Sequence, residues 1–65
     1  MPSQVIRHFS YDPDARQLRV TFVSGRRYRY DDVPPDVAQE MRLAFSKGQF
    51  FNHRIRDAFP ASPEI

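Results

Sequence analysis

The stretch Ser24-Gly25-Arg26-Arg27-Tyr28-Arg29-Tyr30-Asp31-Asp32 decides how the chain folds, because two tyrosines alternate with arginines directly after a glycine. Upstream, Leu18, Val20 and Phe22 alternate with Arg19, Thr21 and Val23, the period-two pattern of a strand with one face buried. The two segments read as a hairpin, and the loop length sets which side chains share a face. With Ser24-Gly25 as a two-residue loop, Tyr28 would stand opposite Thr21, both tyrosines would be exposed and two arginines buried. With Val23-Ser24-Gly25 as a three-residue loop and Gly25 left-handed and bulged, Val20 faces Tyr28 and Leu18 faces Tyr30. A one-residue slip turns every side chain over, and only the second register keeps the apolar face whole. It therefore predicts Tyr28 and Tyr30 inside, Arg27 and Arg29 outside, and Arg29 directly across from Arg19.

Outward from this hairpin, Val5 to Tyr11 mixes β-branched and aromatic residues and stops at Asp12-Pro13-Asp14, where proline presets a turn and the aspartates can bond local backbone. Ile6 and Phe9 cannot both point inward from this strand without a bulge. Downstream, Pro34-Pro35 can open a helix, since the first turn has no use for those amide hydrogens, and Asp31, Asp32 and Asp36 suit its positive end. Val37, Ala38, Met41, Ala44 and Phe45 follow helical spacing, which predicts that this helix covers the tyrosine face. Ser46-Lys47-Gly48-Gln49 resembles a capping box ahead of Phe51, Ile55, Ala58 and Phe59, predicting a second helix over about 47–58. The expected fold is α+β: a three-stranded antiparallel β-meander followed by two short helices packed on one face. The ordered core spans about 4–59 in one domain, and 60–65 reads as a frayed tail.

At 65 residues, such a domain buries only about 60% of the surface its unfolded chain exposes, so its stability is marginal. There is no cysteine for a disulfide or thiolate metal site, and six phenylalanines and three tyrosines must supply the packing. No signal-like N-terminus or long apolar run is present, so the expectation is a cytoplasmic protein without a membrane partner. The net charge is only +2, but the cations are nine arginines and one lysine. Arginine suits phosphate and carboxylate recognition, whereas a GC-rich genome would produce the same bias without any function.

The ordered set Ile6, Tyr11-Asp12-Pro13, Leu18-x-Val20-x-Phe22, Ser24-Gly25, Tyr28-x-Tyr30, Val33-Pro34, Ser46-x-Gly48, Phe51-Asn52 and Ile55-Arg56 resembles the KTSC domain family. That family is named for its occurrence at the C-terminus of some lysyl-tRNA synthetases and also occurs as short stand-alone bacterial proteins. The resemblance implies a bacterial single-domain protein and lends weight to RNA as a partner. Arg27 departs from the pattern, which has an apolar or small residue there in many members, so a basic stripe using Arg27 need not be a family trait.

Two anion-binding candidates follow from the residues. Arg19, Arg27 and Arg29, with Arg7 from the first strand, would form an outward stripe able to neutralise phosphates. Like charges opposed across a strand pair are unfavourable by roughly a few tenths of a kcal/mol unless an anion intervenes, with Asp31 near Gln17 or Asp32 near Arg16 able to relieve part of this. The second candidate is the helix start Ser46-Lys47-Gly48, extended by Asn52 and Arg56 at i and i+4, whose bland reading is an ordinary capped helix. Tyr28 and Tyr30 could stack bases in principle, but the register assigns them to the core. His8 and His53, with no cysteine, make a poor metal pair, and Ser46, His53 and Asp57 on one short helix cannot converge as a catalytic set. The expectation is a non-enzymatic binding module without a cofactor, whose partner is RNA, structured (such as tRNA) or single-stranded, or another phosphate-rich molecule. The alternative is a protein-interaction module or homodimer, using a free strand edge or an exposed aromatic such as Phe50.

Overall fold

The computed structural model describes residues 6–64, and its architecture is α+β, an antiparallel sheet with the helical segments on one face. Strands β1 (Ile6–Asp12), β2 (Gln17–Phe22), β3 (Arg27–Tyr30) and β4 (Ala61–Pro63) lie in that order across the sheet. Between β3 and β4 come α1 (Pro35–Leu43) and α2 (Lys47–Phe50), and α2 runs directly into a π-helical segment, Phe51–Ile55.

The register of β2 against β3 is the one that keeps the apolar face whole. Gly25 has φ +95, its amide donates to the Phe22 carbonyl at 2.9 Å, and Phe22 donates to Arg26 at 2.8 Å, closing the three-residue loop. Leu18 accordingly faces Tyr30, Val20 faces Tyr28, Arg19 faces Arg29 and Thr21 faces Arg27. The strand β1 carries the bulge its apolar residues require: the pairing shifts between Ile6 and His8, after which Phe9 faces Val20 and Tyr11 faces Leu18. Ile6, Phe9 and Tyr11 all pack against the core as a result. In the β1–β2 turn, Asp12 Oδ1 accepts from the amides of Asp14 at 3.0 Å and Ala15 at 3.3 Å.

The sheet has four strands where the sequence suggests three. The expected frayed tail at 60–65 is instead docked through residue 64: Ser62 pairs with Arg29, and flanking bonds run from Asp31 N to Pro60 O (2.9 Å) and Glu64 N to Arg27 O (2.8 Å). Ala61-Ser62-Pro63 has no β-branched or aromatic residue and is bounded by Pro60, so it carries no strand signal. Proline is tolerated there because an edge strand needs amide donors on one side only.

Leu18, Val20, Tyr30, Val33, Ala38, Met41, Phe51 and Ile55 are the buried apolar residues. Each fully buried large side chain among them contributes about 1.5–3 kcal/mol. Loop geometry closes the core as well: Tyr11 donates its hydroxyl to the Val33 carbonyl at 2.6 Å, and Val33 N–H donates to Arg16 O at 3.0 Å. The helix α1 starts at Pro35 with Asp36 in its first turn and buries Ala38 and Met41. Phe45, expected on its buried face, is 104% exposed, because α1 ends at Leu43 and Ala44 is extended, so helical spacing no longer directs the next side chain. The rings of Tyr30 and Phe22 meet Phe51, at 5.3 and 5.4 Å, so the second helical segment rather than α1 supplies the ring packed on them. That segment is α-helical only to Phe50; Arg56 N–H then reaches back to Phe51 O at 2.9 Å, a π-type closure, and residues 56–58 form a turn.

Replacing Gly25 with alanine should destabilise the fold by about 1–2 kcal/mol through backbone strain alone, since nothing lies within 4 Å of an added Cβ. An unchanged urea midpoint would show that the register is anchored elsewhere. Ending the chain after Pro60 should lower the urea midpoint and promote self-association through the uncovered β3 edge. An equally stable, monomeric truncated chain by light scattering would count against a structural role for β4.

Candidate functional site

The outer face of the sheet collects side chains that the hairpin register excludes from the core. Arg19, Arg27 and Arg29 lie on it in adjacent strands, and Arg7 sits exposed in the β1 bulge beside them. Among the described residues no helix covers this face. The Arg19–Arg29 juxtaposition is present, and two carboxylates answer its charge, the Asp31 named from the sequence and Glu64. Arg19 Nε donates to Glu64 Oε2 at 3.1 Å, a carboxylate delivered by the chain just past β4. Arg29 Nε donates to Asp31 Oδ1 at 3.1 Å on its own strand's extension. Asp31 therefore serves Arg29, and Asp32, at φ 60, lies in the bend into Val33. Both pairs are solvent-accessible and contribute about 0–1 kcal/mol each, so a competing anion displaces the carboxylates at little expense. Arg7 and Arg27 have no ion-pair partner among the described residues.

The second set of candidates lies on the opposite, helix-bearing side, apart from the arginine stripe. At the start of α2, Ser46 Oγ accepts from Gln49 N–H at 3.3 Å, as an N-cap does. Lys47, the chain's single lysine, turns away from the helix start: its Nζ donates to the carbonyls of Ala44 at 2.7 Å and Arg42 at 3.1 Å. It neutralises the negative C-terminal end of α1, and Gly48 is buried. These contacts commit the segment to joining two helices rather than presenting amides and a free cation to solvent. Phe50 is half-buried, with the Arg54 guanidinium 5.3 Å from its ring centroid, and Arg54 also pairs with Glu40 at 2.8 Å. The exposed aromatic is Phe45 instead, next to Leu43 at 75% exposure.

Asn52 and Arg56 come together with residues that sequence reasoning assigned only to the core. They line one cleft with Phe22, Tyr28, Tyr30 and Phe51. Tyr28 meets Phe22 edge-on at 5.8 Å, continuing the chain of rings through Phe51 to Tyr30. The i, i+4 spacing of Asn52 and Arg56 was a visible signal; their position beside the tyrosines needed the π-helical path to be known. Burial pushes the Tyr30 phenol above its ordinary 10.0, with Tyr28 adding to the shift, Arg56 opposing it and Asp57 adding to it. His8 and His53 lie apart on strand and helix, and no cluster of three metal-ligating side chains occurs among the described residues.

A model of the KTSC domain matches residues 2–59. An uncharacterised protein of Stutzerimonas stutzeri is 44% identical over 52 residues, covering 80% of this chain and 73% of that protein. A lysine–tRNA ligase of Nostoc punctiforme is 44% identical over 55 residues, covering 85% of this chain but only 10% of the ligase. The crystal structure of a KTSC domain protein from Yersinia pestis superimposes with a TM-score of 0.90 at 33% identity, over 100% of this chain and 94% of that one. Among the described residues, no helix is long and apolar enough to cross a membrane.

The raised Tyr30 value carries a sign for stability. The unfolded chain loses its phenolic proton first, so this contribution is complete below pH 10.0 and is lost as pH climbs through the folded value. The urea midpoint should fall as pH rises above 10.0, and less steeply in Tyr30→Phe. Identical slopes for the two proteins would refute the assignment.

Proposed function

The chain belongs to the KTSC domain family, and we propose that it is a non-enzymatic binding module whose outer sheet face meets a phosphate-rich partner, RNA above all. The observation that carries this reading is the cross-strand pair Arg19 and Arg29 on an uncovered sheet face, with Arg27 and Arg7 beside it. Guanidinium groups at strand spacing suit successive phosphates, and the two carboxylates holding Arg19 and Arg29 are exposed enough to exchange. Such contacts give affinity with little base readout, because the tyrosines are turned inward and, among the described residues, His8 opposite Thr21 is the ring left on this face. The occurrence of a related segment within lysine–tRNA ligases agrees with an RNA setting, although this chain matches only 10% of the Nostoc punctiforme ligase's length.

A second reading, protein docking or a homodimer, has its own observation. Leu43 and Phe45 project from the α1–α2 connection at 75% and 104% exposure, an apolar knob of the kind that anchors interfaces. For the first reading, a mixed tRNA titration should show binding that weakens with salt at a log–log slope of about −0.7 to −0.9 per phosphate neutralised. Changing Arg19, Arg27 and Arg29 to glutamine should abolish most of it. No binding at low salt, or binding indifferent to the triple substitution, would overturn the proposal, and a loss of self-association in Phe45→Ser would favour the second reading.

A further inference from the structure

On the helix side lies a cleft chemically distinct from the arginine face. It has a volume of ≈ 350 Å³, at the small end of ligand pockets. Its walls are the rings of Phe22, Tyr28, Tyr30 and Phe51, held edge-to-face at 5.3–5.8 Å by their mutual packing. At its rim stand the Asn52 carboxamide and the Arg56 guanidinium. None of the side-chain hydrogen bonds among the described residues uses the Tyr28 or Tyr30 hydroxyl, Asn52 or Arg56. No buried side-chain polar atom among them lacks a partner either; Asn52 and Arg56 are exposed and Tyr28 is half-buried. Arg56 contrasts with Arg19, Arg29 and Arg54, each of which holds a carboxylate.

The backbone that delivers this rim is unusual. Phe51 and Asn52 belong to the π-helical segment, and Arg56 closes it through its amide to Phe51 O at 2.9 Å. A π-turn is less favourable than the α-turn it replaces and occurs often at functional sites, where it re-aims side chains. Here it sets an aromatic residue inward and an amide and a cation outward over the same opening.

We propose that this cleft binds a planar aromatic group carrying one anion, the ring lying against half-buried Phe22 and Tyr28 over a floor of buried Tyr30 and Phe51, and the anion meeting Arg56 with Asn52 beside it. An apolar ring wall favours flat, polarisable ligands, and a guanidinium prefers phosphate or carboxylate. A nucleoside monophosphate and an aryl carboxylate share that chemistry. The site does not rest on the RNA reading, since the outer arginines lie across the sheet from it.

Amide and aromatic NMR titrations of the full chain separate the possibilities, using AMP, adenosine, ribose 5-phosphate and 4-hydroxybenzoate as probes. One of the two aromatic anions should give saturable shifts at Tyr28, Tyr30, Phe51 and Asn52, with adenosine and ribose 5-phosphate each weaker by about tenfold or more. Arg56→Gln should reduce that affinity by about the same factor, while Arg19→Gln, Arg27→Gln and Arg29→Gln together leave it unchanged. AMP alone binding identifies a nucleotide, and 4-hydroxybenzoate alone identifies an aryl acid. Absence of saturable shifts with both, equal binding by the Arg56→Gln protein, or shifts confined to the outer sheet face would overturn the proposal.

Discussion

Left-handed Gly25 controls more of this molecule than any single core contact. By making the β2–β3 loop three residues long, it sets the parity of β3, and parity sends the tyrosines to one side and the arginines to the other. Every later element uses that division. Phe51 can stack on Tyr30 only because Tyr30 points inward, and Glu64 can reach Arg19 only because Arg19 points outward. With the opposite parity, two guanidinium groups would face the core of a domain too small to compensate for them.

The parts of the fold legible in the sequence were those with strict local rules. A glycine required at positive φ, a period-two strand and a proline at a helix start left few alternatives, and the β1 bulge followed from Ile6 and Phe9 needing the same face. What escaped had no local rule. Ala61-Ser62-Pro63 is a strand because β3 offers it an edge, not because its residues prefer extension. The change from α to π geometry at Phe51 follows from packing that ring between Phe22 and Tyr30, which is a tertiary demand.

The candidate site was legible to a similar extent. The outward arginines could be placed by parity and Asp31 named beside them, but Glu64 could not, because it follows a strand that the sequence did not announce. Ser46 capped as its type suggests, whereas Lys47 turned out to be occupied with the carbonyls of the preceding helix. Asn52 and Arg56 were visible as a pair of polar residues one turn apart, and only the folded chain shows which rings they stand beside.

The near-absence of lysine has a practical side. The only side-chain amine in the chain is Lys47, and it is held against two backbone carbonyls at the α1–α2 junction. Apart from the α-amine of the chain, amine-directed cross-linkers and dyes would therefore report on that junction, since neither the sheet face nor the cleft carries a lysine. Reagents selective for guanidinium groups address both, and since Arg19 and Arg29 hold carboxylates while Arg27 and Arg56 hold none among the described residues, their order of modification would register which charges the protein keeps engaged in solution.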